Sequence, residues 1–160
     1  MAALRILSEH YAAGSEVELL DGGTLGLGLL SRLAASDHVL ILDAIQDPGA
    51  APGSLVRITG DEVGRAVRER LSPHQVGVAD LLDGLTWLGA TPKSLLLLGL
   101  VPASLELGYG VTAAVAARLP ELAAAAAEEA EQLGFELRLK ECHASSLVEA
   151  SAASDPLGLH

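Results

Sequence analysis

The sequence predicts a three-layer α/β domain in which a twisted, mostly parallel β-sheet lies between helices. Two segments, HVLILD at 38–43 and SLLLLGLV at 94–101, are apolar almost throughout, as strands covered on both faces must be. Several of the segments around them have the spacing of amphipathic helices. Strands that alternate with helices are typical of a parallel sheet with helices on both faces.

The individual elements follow from hydrophobic periodicity and from the turn residues that bound it. Helices are predicted at 2–13, 25–35, 61–71, 73–89 and 112–133, and further strands at 16–20, 54–58 and 135–140. Pro120 lies inside the last helical segment. Because proline removes a backbone donor and clashes with the preceding turn, it should kink or restart that helix.

Composition indicates one domain, covering residues 1–141, followed by a Ser- and Ala-rich segment at 142–160 that we expect to be a flexible tail. The formal net charge of −11 argues against nucleic acid and anionic membranes as partners. Cys142 is the single cysteine, so no intrachain disulfide can form, and a reducing cytoplasm is the expected compartment. The absence of large apolar patches is compatible with a monomer.

Acidic residues are expected together at one edge of the sheet. In open α/β sheets, ligands bind beyond the carboxyl ends of the strands. Asp21 follows the strand predicted at 16–20, Asp43 ends the strand at 38–43, and Glu106 lies in the loop after 94–101. We therefore expect three carboxylates on this rim.

His74 lies at a predicted helix start. Ser72, Pro73 and Gln75 fit a capping box, with proline in the first turn. The positive end of the helix dipole disfavours a charged imidazole there, and neutral imidazole is the form that ligates metals. With Asp43 it could form a partial site for zinc or nickel. The alternative is a surface histidine in a well-capped turn, and local sequence leaves both open.

The segment DGGTLGLGLL at 21–30 is rich in glycine but matches neither G-x-G-x-x-G nor G-x-x-x-x-G-K-[ST]. No nucleotide cofactor is therefore expected. The segment is either a tight strand-to-helix turn that needs a positive φ, or a flexible, peptide-accepting loop at the rim. No serine nucleophile elbow or catalytic triad is apparent.

Five segments, taken in order, resemble the hydrogenase maturation protease family between about residues 3 and 133. They are VELLDGGTLGLGLL, DHVLILDAIQ, APGSLVRI, LSPHQVGVADLL and LLLLGLVPASLELGYGVTAAV. The most specific motifs are DGGT, DAI after an apolar strand, and SPHQ before a helix. The resemblance implies a twisted sheet between helices and an endopeptidase that removes the C-terminal extension of the [NiFe] hydrogenase large-subunit precursor.

The same resemblance implies which residues act. Asp43 and His74 match the family's metal-contacting aspartate and histidine, and Gly22, Gly23 and Thr24 match the Gly-rich segment along the substrate path. The metal would be nickel carried by the substrate. The partner would be the hydrogenase large-subunit precursor.

This chain departs from the family at its start. The family begins with a strand and a G-x-G-N-x-L-x-x-D-[DE]-G-x-G loop that supplies the first acidic ligand, and no such segment is present here. Asp21, Asp47 or Glu106 could replace that acid, but the resemblance supports none of them. Without the strand we expect unpaired strand edges, exposed apolar surface and a poor enzyme.

The sequence is therefore compatible with two functions of different classes. The first is the nickel-dependent endopeptidase. The second is a non-catalytic binding protein, or an inactive shortened paralogue, that holds the immature large subunit. A small-molecule hydrolase or nucleotide binder on a similar scaffold has little support, although fold alone does not exclude it.

Overall fold

The computed structural model describes residues 2–22, 26–70, 76–103 and 112–140. In chain order the elements are α1 (Ala2–His10), β1 (Tyr11–Ala13), a 3₁₀ helix (Gly26–Leu29), α2 (Leu30–Ala34), β2 (His38–Ala44), β3 (Leu55–Thr59), α3 (Asp61–Arg70), α4 (Val76–Trp87), β4 (Ser94–Leu100), α5 (Ala113–Ala116), α6 (Leu119–Gln132) and β5 (Leu137–Leu139). Within these ranges, no helix has the length and apolar character that crossing a bilayer requires.

The main sheet has three strands in the order β2-β4-β3. β2 runs parallel to β4 with Asp43 opposite Gly99, whereas β3 runs antiparallel to β4 with Leu55 opposite Leu100. The antiparallel direction of β3 follows from the ten-residue connection 45–54, because a parallel crossover needs about a dozen residues or more. The predicted strands 38–43, 54–58 and 94–101 are all present, but the sheet is mixed rather than mostly parallel.

Alternate side chains of β4 build two cores, one on each face of the sheet. Leu96, Leu98 and Leu100 pack in a cluster with residues of α1 and α6. Leu97 packs on the opposite face in a cluster that includes residues of α3 and the fully buried Ile45. Because successive strand residues point to opposite faces, one apolar strand serves both cores. The predicted three-layer arrangement, with helices on both faces, is confirmed.

Helix α1 ends earlier than the sequence predicts. Residues 11–13 form β1, which pairs antiparallel with β5 in a separate two-stranded sheet. The backbone N–H of Lys140 donates to the carbonyl oxygen of His10 at 2.8 Å. The Nζ of the same lysine donates to the carbonyl oxygens of Ser8 and Glu9, at 2.9 and 3.0 Å. A cation that satisfies the last carbonyls stabilises a helix end. The contact that stops α1 thus comes from a distant part of the chain.

The strand predicted at 16–20 does not form. These residues pair with no strand among those described, and Asp21 therefore does not end a strand as predicted. The apolar side chains Val17 and Leu19 still pack against the core on the α1 and α6 side of the sheet. The alternation of apolar and acidic residues at 16–19 correctly predicts that one side of this segment is buried. A strand must also form hydrogen bonds with a neighbouring strand, and this segment does so with none of those described.

One edge of β2 faces a large cleft. Within the described ranges β2 pairs with β4 alone. The cleft has a volume of about 950 Å³ and is bordered by β2, by residues 15–20, and by α1 and α6. Much of its lining is apolar, including Leu7, Leu40 and Leu122. Leu7 and Leu122 are nevertheless buried, so an exposed apolar surface stays a prediction.

Pro120 restarts the Ala-rich helical segment, as predicted. α5 ends at Ala116 and α6 begins at Leu119, with the proline in its first turn. Proline is tolerated there because the first helical N–H groups have no partner within the helix. The tail predicted at 142–160 lies outside the described residues.

We predict that Leu97→Ala lowers the free energy of unfolding by about 2–5 kcal/mol, the usual cost of truncating a fully buried leucine. Leu97 is 0% exposed at the centre of β4. The matched control is Leu139→Ala on β5, where the leucine is 67% exposed and the change should stay within about 0.5 kcal/mol. Urea unfolding of both variants tests this, and equal losses would contradict the proposed position of the core.

A two-pronged ion pair joins the sheet to α6. Arg57 on β3 donates from Nε and Nη2 to the two carboxylate oxygens of Glu129, at 2.5 and 3.0 Å. The hydrogen bond from Arg57 holds the pKa of Glu129 below its ordinary value. A depressed folded-state pKa stabilises the fold at neutral pH, and that contribution disappears as the pH falls through the folded-state value.

We predict that Glu129→Gln lowers the free energy of unfolding at pH 7 by about 1 kcal/mol, a typical value for a partly exposed pair. The difference from the parent should begin to shrink as the pH falls below about 4.3, where the carboxylate of the unfolded chain takes up a proton, and should vanish only below the lower pKa of the folded state. Chemical unfolding between pH 3 and 7 measures it. Glu128→Gln, at an exposed neighbour on α6, is the control and should show no such trend.

Candidate functional site

Asp43 lies next to the last residue of β2, at the carboxyl end of the parallel strand pair. Its side chain is partly buried, and Oδ1 accepts a hydrogen bond from the N–H of Ala44 at 2.7 Å. The next residue, Ile45, is fully buried and donates its N–H to the carbonyl oxygen of Leu100 at 3.1 Å. The chain that follows Asp43 is therefore anchored, and the carboxylate is held at the predicted rim.

His74 lies outside the described residues, as do Gly23, Thr24 and Glu106. The direction of α4 follows from the way it connects to β4. α4 begins at Val76 and leads through a short connection to Ser94, the first residue of β4. Since β4 is parallel to β2, this connection lies at the amino end of both strands. We infer that α4 starts toward the carboxyl end, where Asp43 lies.

Gly22 is exposed and, together with Asp43, lines the cleft beside β2. Two of the residues that the sequence pointed to therefore border one cleft. Gly22 does not have a positive φ and does not follow a strand. The interpretation of this segment as a tight strand-to-helix turn is thus wrong at Gly22. A peptide-accepting loop stays a prediction.

No third acid is assigned to the site. Asp21 is exposed and lies at the end of an irregular segment. Oδ1 of Asp47 accepts the N–H of Gly49 at 3.1 Å, which is a local turn contact. Across the described parts of the chain, no group of three or more His, Cys, Asp or Glu side chains is placed to hold a metal ion.

His38 lies at the opposite end of β2 from Asp43. Its ring packs edge-on against Phe135 with centroids 5.4 Å apart. The neighbouring Asp37 accepts a hydrogen bond from Lys93 at 2.8 Å, which lowers the pKa of that carboxyl. The prediction that His38 and Asp43 cannot share a metal agrees with this placement.

Gly99 is a residue at this site that the sequence analysis did not single out. It lies in β4 directly opposite Asp43. An isolated glycine inside an apolar strand often marks a close backbone approach, and this signal was available in SLLLLGLV.

Comparison with known proteins places the chain in a family. The model of the family described as hydrogenase maturation protease matches residues 1–129. The chain belongs to the hydrogenase maturation protease family. The Escherichia coli (strain K12) hydrogenase 2 maturation protease is 42% identical over 113 residues, which are 71% of this chain and 69% of that protein.

Other members of the hydrogenase maturation protease family show how much of a relative this chain spans. The hydrogenase expression/formation protein HupD of Thiocapsa roseopersicina is 35% identical over 87% of this chain and 63% of its own length. The chain thus spans about two thirds of the length of such relatives.

Solved structures of the same family confirm the fold class. The hydrogenase maturating endopeptidase HybD from E. coli superposes with a TM-score of 0.79 at 36% identity, covering 86% of this chain and 85% of that one. The [NiFe] hydrogenase maturation protease HybD from Thermococcus kodakarensis gives a TM-score of 0.62 at 26% identity, covering 82% and 84%.

Proposed function

We propose that this protein is an endopeptidase that removes the C-terminal extension of the [NiFe] hydrogenase large-subunit precursor once nickel has been inserted. Membership of the maturation protease family supports the reaction class. The single observation that carries the proposal is the placement of Asp43, a partly buried carboxylate at the carboxyl end of β2 that also borders the cleft with Gly22.

The proposed metal contacts are Asp43 and His74. Asp43 aligns in register with Gly99, and Gly99 lies on the same face of β4 as Leu97, in whose cluster residues of α3 and α4 pack. Neighbouring residues in register share a face of the sheet, so Asp43 lies on the face that carries α4. In the sequence, His74 precedes Val76, the first residue of α4, by two positions, and we infer that the start of α4 lies toward the end of the sheet where Asp43 lies. This arrangement supports a two-residue metal contact.

The nickel ion would belong to the substrate rather than to the protease. A carboxylate and an imidazole are suitable ligands for a divalent nickel ion, and two protein ligands leave further positions for groups of the precursor. Asp43 and His74 would thus bind and orient the metal-loaded precursor. When bound, the metal would supply a positive centre close to the peptide to be cleaved. Cleavage would then depend on prior metal insertion, and the protein would need no nucleotide or other cofactor.

The remaining proposals concern the partner and the compartment. Gly22, Gly23 and Thr24 would lie along the path of the extended substrate tail. The net charge of −11 makes nucleic acid or an anionic membrane surface an unfavourable partner. We propose a cytoplasmic monomer whose partner is the large-subunit precursor.

A second candidate function is a binding protein that holds the precursor without cleaving it. Incubation with nickel-loaded precursor separates the two functions. The endopeptidase shortens the precursor, as mass spectrometry would show, whereas the binding protein associates with it and leaves its mass unchanged.

We predict that Asp43→Ala and His74→Ala each abolish processing of nickel-loaded precursor and leave the melting temperature nearly unchanged, because rim residues create no core cavity on truncation. Asp37→Ala, at the other end of β2, and His10→Ala, exposed at the end of α1, are the matched controls and should process normally. Parental processing by either site variant would refute the role assigned to that residue. A melting temperature several degrees lower would show that the residue is structural.

We also predict that, in a crystal structure with nickel or zinc bound, the ligand atoms of Asp43 and His74 lie roughly 3–5 Å apart, since a metal contacts each at about 2.0–2.2 Å. Side chains at opposite ends of the sheet would rule out the shared metal.

A further inference from the structure

Gly99 leaves no room for a side chain. It lies in β4 directly opposite Asp43 on β2 and opposite Val56 on β3. A Cβ atom at this position would overlap the carbonyl oxygen of Asp43 and would lie 2.5 Å from Cγ1 and Cδ1 of Ile45. Both separations are far inside van der Waals contact, so a side chain here would force its neighbours to move.

The atom that would have to move belongs to the peptide group that positions Asp43. The carbonyl of Asp43 and the N–H of Ala44 are parts of one planar peptide unit. That same N–H donates to Oδ1 of Asp43 at 2.7 Å. Displacing the carbonyl therefore displaces a group that donates to the carboxylate of Asp43. The Asp43–Ala44 peptide has little freedom to shift, because the next residue, Ile45, is fully buried and its N–H donates to the carbonyl oxygen of Leu100.

We propose that Gly99 is a positioning residue for Asp43: the bare backbone of β4 lets the Asp43–Ala44 peptide lie close over it, and this fixes the direction of the carboxylate. The claim rests on the proposed role of Asp43 in contacting metal. Gly99 touches no reacting atom, and it acts only through the peptide group beside it.

The test compares Gly99→Ala with two matched variants. Gly64→Ala adds the same methyl group on α3, where the nearest atom is Nη1 of Arg68 at 3.4 Å, an ordinary contact. Val63→Ala removes two methyl groups from the same core cluster, from a residue 0% exposed, without touching Asp43. It therefore loses stability for reasons unrelated to the carboxylate.

Cleavage of nickel-loaded precursor is measured in single turnovers with the protease in saturating excess, at a temperature where every variant is folded. Gly99→Ala should be slower by roughly 100-fold, the order of loss caused by a misplacement of about 1 Å. Gly64→Ala should keep the parental rate. Val63→Ala should melt at a lower temperature yet cleave within about twofold of the parent. A parental rate for Gly99→Ala, or an equal loss in Val63→Ala, would overturn the proposal.

A second measurement does not depend on activity. In ¹⁵N-labelled protein, the amide resonance of Ala44 should move in Gly99→Ala and stay in place in Gly64→Ala and Val63→Ala. An unmoved resonance in Gly99→Ala would overturn the geometric claim. Asp43→Asn, assayed in parallel, distinguishes the proposed role of Asp43 in cleavage from the proposed positioning role of Gly99. If Asp43→Asn cleaves at the parental rate, the proposed function fails as well. If it is inactive while Gly99→Ala is unimpaired, only the positioning role fails.

Discussion

The burial of β4 on both faces is the constraint on which the rest of the fold depends. Leu96, Leu98 and Leu100 support the layer of α1 and α6, and Leu97 supports the layer of α3 and α4. Both remaining strands of the main sheet hydrogen-bond to β4. A strand in this position must be apolar at nearly every residue. Its one glycine, Gly99, is therefore the place where a neighbouring backbone can approach closely, and that place lies opposite Asp43.

Features set by local sequence were predictable, and features set by pairing were not. The apolar runs of β2 and β4 identified buried strands, and Pro120 marked the start of α6. The direction of β3 depends on the length of its connection rather than on its own residues. The end of α1 depends on Lys140, about 130 positions away. Residues 16–20 have an alternating pattern but pair with no strand among those described, so their periodicity alone gave the wrong element.

The same division applies to the candidate site. The position of Asp43 followed from two general rules, that an apolar run forms a buried strand and that ligands collect beyond the carboxyl ends of such strands. The weight given to Asp43 and His74 together came from the resemblance to the maturation protease family, since two residues far apart in sequence do not define a site by spacing. Asp21 was misplaced because its position depended on a strand that does not form. Gly99 was overlooked because a glycine signals a close approach without showing what approaches.

In the part of the chain that the structure describes, β2 is hydrogen-bonded to a strand on one edge only, and this links the stability of the sheet to the site. Asp43 lies near the end of this strand, and the cleft along its other edge extends from Asp37 to Ala44. Because β2 pairs with β4 alone within the described ranges, the register with β4 and the anchored Ile45 help to fix the position of Asp43. The position of the Asp43 carboxylate thus depends on how closely β2 packs against β4, and not only on the residues of β2. This is why a single methyl group at position 99, on the other strand, should affect the carboxylate more than a larger change deeper in the core.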